Sequence, residues 1–199
     1  MKTILKIFIV AFALTVSTLV HAQHSFRNVT GQSKVIVKGT STVHDWEMES
    51  SDLSVRMGLS ASGQDLQIKD VSFSSEATSL KSKHDLMNTK AYEALNAKKH
   101  PEIRFSQTSV VVESFRNNSF NGKLLGNLEI AGVTKNVEIP FTGTLKSDQQ
   151  VAVKGILKLK MSDFGIKPPT AMMGTIKTGN EISLEYQVEM KSEKSLSAL

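Results

Sequence analysis

Residues 161–179 read MSDFGIKPPTAMMGTIKTG and separate two runs in which apolar and polar residues alternate. The run before, residues 151–161, has apolar residues mainly at odd positions, and the run after, residues 182–190, has them at even positions. Successive side chains of a strand point to opposite faces, so each run predicts an antiparallel strand with one buried face. Pro168 and Pro169 have no N–H to donate to a neighbouring strand, so the segment between the runs is not a strand.

The segment 161–179 is too long for a tight turn and is rich in apolar residues. A long loop inside a compact domain is uncommon and often has a function. We therefore predict that it folds over an opening of a barrel, either as a lid or as a plug. Its large apolar residues are Phe164, Ile166, Met172, Met173 and Ile176.

Alternation recurs along the rest of the chain and indicates about eight strands. The apolar positions change parity at residues 50–52 and again between Ile68 and Val71, and each change predicts a bulge inside a strand. About eight strands close into a barrel just wide enough for one ligand, as in lipocalins. The predicted fold is all-β, an antiparallel lipocalin-like barrel of about eight strands with one or two short helices.

Residues 79–99 carry the helical part of the chain, because apolar residues recur there at every fourth position. The sequence predicts a capping box at residues 82–85, and Pro101 ends the helix. Asn88 and Thr89 leave open an interruption that caps a second short helix.

Glycines fall on the same face as inward apolar residues, at Gly39, Gly122, Gly126 and Gly155. One interpretation is that they leave free volume along the axis of the barrel. The other is that they mark bends at barrel corners. The sequence leaves both open.

The N-terminus has the features of a secretory signal peptide. Lys2 and Lys6 precede an apolar run at residues 7–20, which is shorter than the ~20 residues of a membrane-spanning helix. Small or apolar residues at the cleavage site predict that residues 1–22 are removed and that Gln23 begins the mature protein. We therefore expect a periplasmic or secreted protein with a single barrel domain over residues 23–199.

Composition excludes several classes of function. The chain has no cysteine, so it has neither disulfides nor thiolate chemistry. Its net charge of +5 falls to +3 without Lys2 and Lys6, and the remaining lysines are scattered, which argues against nucleic-acid binding. The sequence predicts no transmembrane span in the mature chain, and it leaves open transient contact with a membrane.

The sequence offers little for catalysis or metal binding. His44 and Asp45 are adjacent, so in a strand they would point to opposite faces, and a turn is the better interpretation. The histidines lack metal-ligand spacing, and neither a nucleophile elbow nor a phosphate-binding loop occurs. We expect no catalytic residue and no metal site.

Four blocks of sequence, taken together, resemble the YceI-like family. The resemblance covers residues 33–190 and rests on GTSTVHDW at 39–46, YEAL at 92–95 with HPEIRF at 100–105, LEIAGVTK at 128–135, and MSDFGIKPP at 161–169 with GTIKTG at 174–179. It implies a lipocalin-like fold and an elongated cavity for a polyisoprenoid or a similar long-chain amphiphile.

The function that the resemblance implies is an exported carrier or store for an isoprenoid or quinone-type lipid, with no further cofactor and no enzymatic activity. Most of the residues expected to bind the ligand lie on the predicted inward face. They are Val37, Trp46, Met48, Val55, Phe73, Tyr92, Phe105, Phe141, Leu157, Phe164, Ile166, Ile182, Leu184 and Tyr186.

Other functions stay open alongside the carrier. One is an enzyme acting on an isoprenoid lipid, for which only His44, Asp45 and Asp163 are available. Another is an envelope stress protein with a structural role. An outer-membrane barrel is disfavoured, because charged residues such as Lys158 and Glu185 would meet lipid. The sequence also leaves a homodimer open.

Export makes a direct prediction about the N-terminus. Protein isolated from the envelope fraction should begin at Gln23, because the signal peptide is cleaved after Ala22. Intact-mass analysis of that protein checks it. A chain that retains Met1 and remains in the cytoplasm would contradict export.

Overall fold

The computed structural model describes residues 24–193, so the predicted signal peptide lies outside the described residues. The strands are β1 His24–Asn28, β2 Lys34–Ser41, β3 Trp46–Ser50, β4 Ser54–Ser62, β5 Asp65–Glu76, β6 Glu102–Arg116, β7 Ser119–Ile130, β8 Val133–Ser147, β9 Gln150–Lys160, β10 Thr170–Ala171 and β11 Ile176–Ser192. The helix α1 spans Asp85–Ala94, and short 3-10 helices span Ala77–Ser79, Met161–Phe164 and Met172–Gly174.

Eight strands form a closed antiparallel ring in the order β1, β4, β5, β6, β7, β8, β9, β11 and back to β1. The ring closes where Phe26 of β1 pairs with Ser192 of β11. Farther along β11, β2 takes the place of β1, and β3 pairs with β2. The predicted all-β, lipocalin-like barrel is confirmed.

The inner face of the ring forms the core, and the outer face is charged. Buried apolar side chains such as Phe26, Met57 and Val151 come from alternate positions of the strands. Lysines and glutamates pair across the outside, as in Lys146 with Glu189 at 2.7 Å. Exposed pairs of this kind add little to stability, so burial of the inner face holds the barrel together.

The two predicted bulges have different outcomes. The second is confirmed, because β5 runs through the parity change with Asp70 at a φ of 53°. The amide freed beside it, that of Val71, donates to the side chain of Gln107 at 2.9 Å. The first is wrong, since residues 51–53 leave the sheet between β3 and β4. The parity change there marks a change of strand, because β3 pairs with β2 whereas β4 pairs with β1 and β5.

The predicted helix over residues 79–99 is shorter in the structure, where α1 spans only Asp85–Ala94. The predicted capping box is wrong, because His84 is the N-cap and its side chain makes no capping hydrogen bond. Asn88 does not interrupt the helix. Its side-chain oxygen instead accepts the backbone N–H of Ser82 at 2.7 Å, which fastens the preceding loop to the helix.

Aromatic rings cover glycines on the inner wall of the barrel. At five glycines an added Cβ would lie less than 3.0 Å from ring or hydroxyl atoms of an aromatic side chain. Free volume therefore does not lie directly above these glycines, because a ring occupies the space above each one. The pairs are Gly39 with Trp46, Gly122 with Phe141, Gly126 with Phe105, Gly143 with Phe120, and Gly155 with Tyr186.

Gly143→Ala should destabilise the barrel by about 1–3 kcal/mol, because its Cβ would overlap the ring of buried Phe120. Urea denaturation measures the change. Phe120→Leu in the same chain should recover part of the loss, since a smaller side chain leaves room for the added methyl. If the changes in the free energy of unfolding from the two substitutions are additive, the ring of Phe120 and Gly143 are not coupled.

Candidate functional site

The barrel contains an apolar cavity of about 170 Å³. Its wall is built from the inward positions of most of the ring strands and of β2, and the described residues that line it carry no charged side chain. The polar side chains in the wall belong to Ser50, Ser75 and Tyr186. A cavity of this composition favours an apolar occupant and disfavours an ion, which would lose its hydration without gaining a partner.

The volume of the cavity limits what fits without movement. An engineered apolar cavity of about 150 Å³ in another protein holds one benzene ring. A chain of several prenyl units is larger than that, so such a chain enters this barrel only if lining side chains move apart. Several of them, including Val35, Leu124 and Leu184, are half-buried and keep free surface beside the cavity.

The structure brings eight of the fourteen predicted ligand-binding residues to the cavity wall. These are Val37, Val55, Phe73, Phe105, Phe141, Leu157, Leu184 and Tyr186. Contact of these residues with a ligand stays a prediction.

The other six predicted residues lie away from the cavity wall. Trp46 covers Gly39 and donates its indole N–H to the carbonyl of Thr40 at 3.0 Å. Tyr92 lies on α1 and donates its hydroxyl to the carbonyl of Leu80 at 2.9 Å. Parity alone places Trp46 on the inner face without giving its height in the barrel. The remaining four, Met48, Phe164, Ile166 and Ile182, belong to the buried or half-buried apolar interior outside the cavity.

Fifteen lining residues were not predicted from the sequence, although the alternation of apolar residues could have identified most of them. They share the alternation of residues that were chosen, as Val153, Val188 and Met190 do on β9 and β11. The alternation of apolar residues could not identify Ser50 and Ser75, because a serine on a strand is interpreted as a solvent-facing residue. Both are buried, with 3% and 8% exposure.

The buried serines join two strands that do not pair. Among the described strands β3 pairs only with β2, and its other edge meets the chain at Lys81. In this gap the Ser50 and Ser75 hydroxyls lie 3.4 Å apart, and both also contact the Ser79 hydroxyl, at 2.7 Å and 3.0 Å. Side-chain hydrogen bonds therefore replace the backbone ladder in this part of the wall.

A second interruption of the wall lies between β8 and β9. Their pairing begins at Thr142 and Lys154 and does not extend to Pro140, which has no N–H to donate. The hydroxyl of Tyr186 donates to the carbonyl of Pro140 at 2.6 Å, reaching it across Gly155. Burial raises the pKa of Tyr186 above its ordinary value, so the phenol keeps the proton that it donates.

The segment after β9 lies beside this interruption. The 3-10 turn Met161–Phe164 contacts β8, β9 and β11, and Phe164 and Ile166 are buried. Asn180 fixes the turn from both sides, accepting the N–H of Ser162 at 3.0 Å and donating to its hydroxyl at 2.8 Å. The first part of the predicted lid or plug therefore packs into the apolar interior.

The residues considered for catalysis lie outside the cavity. His44, Asp45 and Asp163 are exposed and absent from its wall. Within residues 24–193 no three metal-ligating side chains come together. The same residues contain no helix long and apolar enough to cross a membrane.

The ring of eight strands and its apolar cavity define a lipocalin-like barrel. A family model described as the YceI-like domain matches residues 12–190. The chain therefore belongs to the YceI-like family. No curated protein matches it.

Solved structures with the same fold include three from different bacteria. BcnA of Burkholderia cenocepacia is 17% identical, with a TM-score of 0.65, covering 81% of this chain and 98% of its own. A polyisoprenoid binding domain from Saccharophagus degradans is 11% identical, with a TM-score of 0.62 and coverages of 86% and 99%. The Campylobacter jejuni YceI protein is 22% identical, with a TM-score of 0.55 and coverages of 72% and 82%. At these identities the likeness shows the fold.

Tyr186→Phe should lower the free energy of unfolding by about 0.5–1.5 kcal/mol, because the carbonyl of Pro140 loses its donor. The difference from wild type should be constant below pH about 10 and shrink above it. The unfolded phenol then ionises while the folded one holds its proton, so the stability that wild-type Tyr186 contributes is lost as the pH rises. Urea denaturation at several pH values measures both effects.

Tyr92→Phe is the matched control, since it also removes a hydroxyl that donates to a backbone carbonyl. Amide hydrogen exchange should quicken in β8 and β9 only in Tyr186→Phe. Equal exchange patterns in the two variants would show that Tyr186 does not hold this part of the wall.

Proposed function

We propose that this chain is an exported carrier or store that shields the apolar chain of an isoprenoid or quinone-type lipid from water. The observation that carries the proposal is the cavity in the barrel, whose described lining residues are uncharged and almost all apolar. Membership of the YceI-like family and a structural neighbour described as a polyisoprenoid binding domain support it. The predicted signal peptide at residues 1–22 supports export.

Burial of a prenyl chain supplies the driving force. Each buried methylene contributes about 0.8 kcal/mol, so roughly twenty of them give about 16 kcal/mol before any cost. Ordering of the chain and widening of a cavity of about 170 Å³ both reduce that figure. We expect ordinary ligand affinity, without a covalent step.

The uncharged lining also constrains the head group. A diphosphate or another charged group inside the barrel would have no partner to replace its water. Such a group must stay at a mouth of the barrel, whereas a neutral quinone or alcohol could follow its chain inward. We therefore expect the protein to select its ligand mainly by the length and shape of the chain.

Catalysis on the lipid is the alternative that the site supports least. It would need polar groups beside the buried chain, and His44, Asp45 and Asp163 are exposed outside the cavity. No specific observation favours a structural role in envelope stress.

Leu184→Asp should abolish binding of geranylgeraniol, because a carboxylate would replace an apolar side chain between Val37 and Leu157 in the cavity wall. An unpaired buried carboxylate is costly or takes up a proton. Retention of radiolabelled geranylgeraniol during gel filtration measures binding, and circular dichroism checks the fold.

The matched control is Glu185→Gln on the adjacent outer face, which removes an exposed ion pair with Lys38 and should bind normally. If Leu184→Asp does not fold, Leu184→Phe provides the test, since the larger side chain should fill the cavity and weaken binding. A folded Leu184→Asp protein that binds as wild type does would remove residue 184 from the site. A wild-type protein that binds no prenyl lipid of any length would contradict the carrier function.

A further inference from the structure

Two loops form one surface at the end of the barrel beyond Trp46. The loop between β2 and β3 is tied to the start of β11 through Thr42, whose N–H donates to the carbonyl of Lys177 at 3.0 Å. The N–H of Lys177 donates back to the Thr42 hydroxyl at 3.2 Å, and that hydroxyl lies 3.4 Å from the carbonyl of Thr175. Residues 42–45 and 167–177 therefore present their tips side by side, and we call them the docking tip.

Large apolar side chains are exposed on the docking tip. Val43 is 64% exposed, Met172 69% and Met173 108%. These are half of the six exposed large hydrophobic residues in the described part of the chain, and the other three lie elsewhere on α1, β6 and β9. Their concentration on two hydrogen-bonded loops makes this the most apolar exposed part of the described surface.

The backbone holds both methionines in an unfavourable conformation. Met172 has a φ of 50° and Met173 a φ of 53°, in the left-handed region that side chains other than glycine rarely adopt. The strain gains no burial, because both side chains point into solvent. Strain of this kind at an exposed loop points to a function outside the fold.

The charges on the tip itself favour an anionic partner. Lys167 and Lys177 are exposed, and residues 165–178 contain no acidic side chain. The neighbouring loop adds one acidic residue, Asp45, so with the two lysines the tip carries a net charge of +1. Exposed apolar side chains beside lysines are the features with which proteins bind the interface of an anionic bilayer.

We propose that the docking tip binds the surface of an anionic phospholipid bilayer. Val43, Met172 and Met173 enter the interfacial region, and Lys167 and Lys177 face the head groups. The inference rests on the proposed function, because a carrier of a water-insoluble chain collects or delivers it at a membrane. In the chain, only Gly165 and Ile166 separate the tip from the turn Met161–Phe164, which packs into the apolar interior.

The test uses mature protein with vesicles of phosphatidylcholine alone or mixed with phosphatidylglycerol. Wild type should float with the mixed vesicles and far less with phosphatidylcholine, and added salt should weaken its binding. Replacement of both Met172 and Met173 by Gln, the methionine variant, should lower vesicle binding about ten-fold or more. Val111→Gln, at a valine that is 51% exposed on the outer wall, should bind as wild type.

Two further measurements separate the possible failures. Geranylgeraniol retention in solution should be unchanged in the methionine variant, since its changes lie outside the cavity. If the wild-type protein itself does not retain geranylgeraniol, the proposed function is overturned instead. Light scattering tests self-association. If wild type is a dimer and the methionine variant is a monomer, the tip binds a second copy of the chain, and the proposal is overturned. Vesicle binding that is equal in wild type and the methionine variant would also overturn it.

Discussion

Close contact between glycines and aromatic rings sets the interior of this barrel. Each of five glycines lacks a side chain where an aromatic side chain crosses it, so the ring lies against the wall instead of across the lumen. Phe105, Phe120, Phe141 and Tyr186 pack in this way, and all four also line the cavity. Phe120 and Phe141 meet edge to face with ring centroids 6.0 Å apart, which links two of these contacts. The apolar cavity therefore depends on rings that are held at the wall by the glycines beneath them.

The wall is continuous although its backbone ladder is not. The hydroxyls of Ser50 on β3 and Ser75 on β5 meet, and Tyr186 donates to Pro140 where β8 and β9 separate. The turn Met161–Phe164 packs beside the second interruption. These side-chain links are local, so they can break without unpairing whole strands. The proposed carrier function requires the barrel to widen for a chain larger than the cavity of about 170 Å³, and at these links no backbone hydrogen bond opposes the widening.

Alternation predicted the strands well because burial on one face is a local property of sequence. The runs on either side of residues 161–179 became β9 and β11, and eight of the fourteen predicted contacts line the cavity. Alternation could not give height along the barrel, which depends on register between distant strands, so it could not tell that Trp46 lies outside the wall of this cavity. It also could not separate a bulge from a change of strand at residues 50–52. Alternation could not decide between the two interpretations of the glycines, because the ring above each one, such as Phe120 above Gly143, belongs to another strand.

We propose that the cavity holds the chain of an isoprenoid or quinone-type lipid. Mass spectrometry of an organic extract from mature protein, purified from the envelope without detergent, can detect that lipid. We expect one prenyl lipid in near-stoichiometric amount with the protein, and none in the extract of a folded Leu184→Asp variant. An extract that holds only phospholipids in the proportions of the surrounding membrane would contradict it.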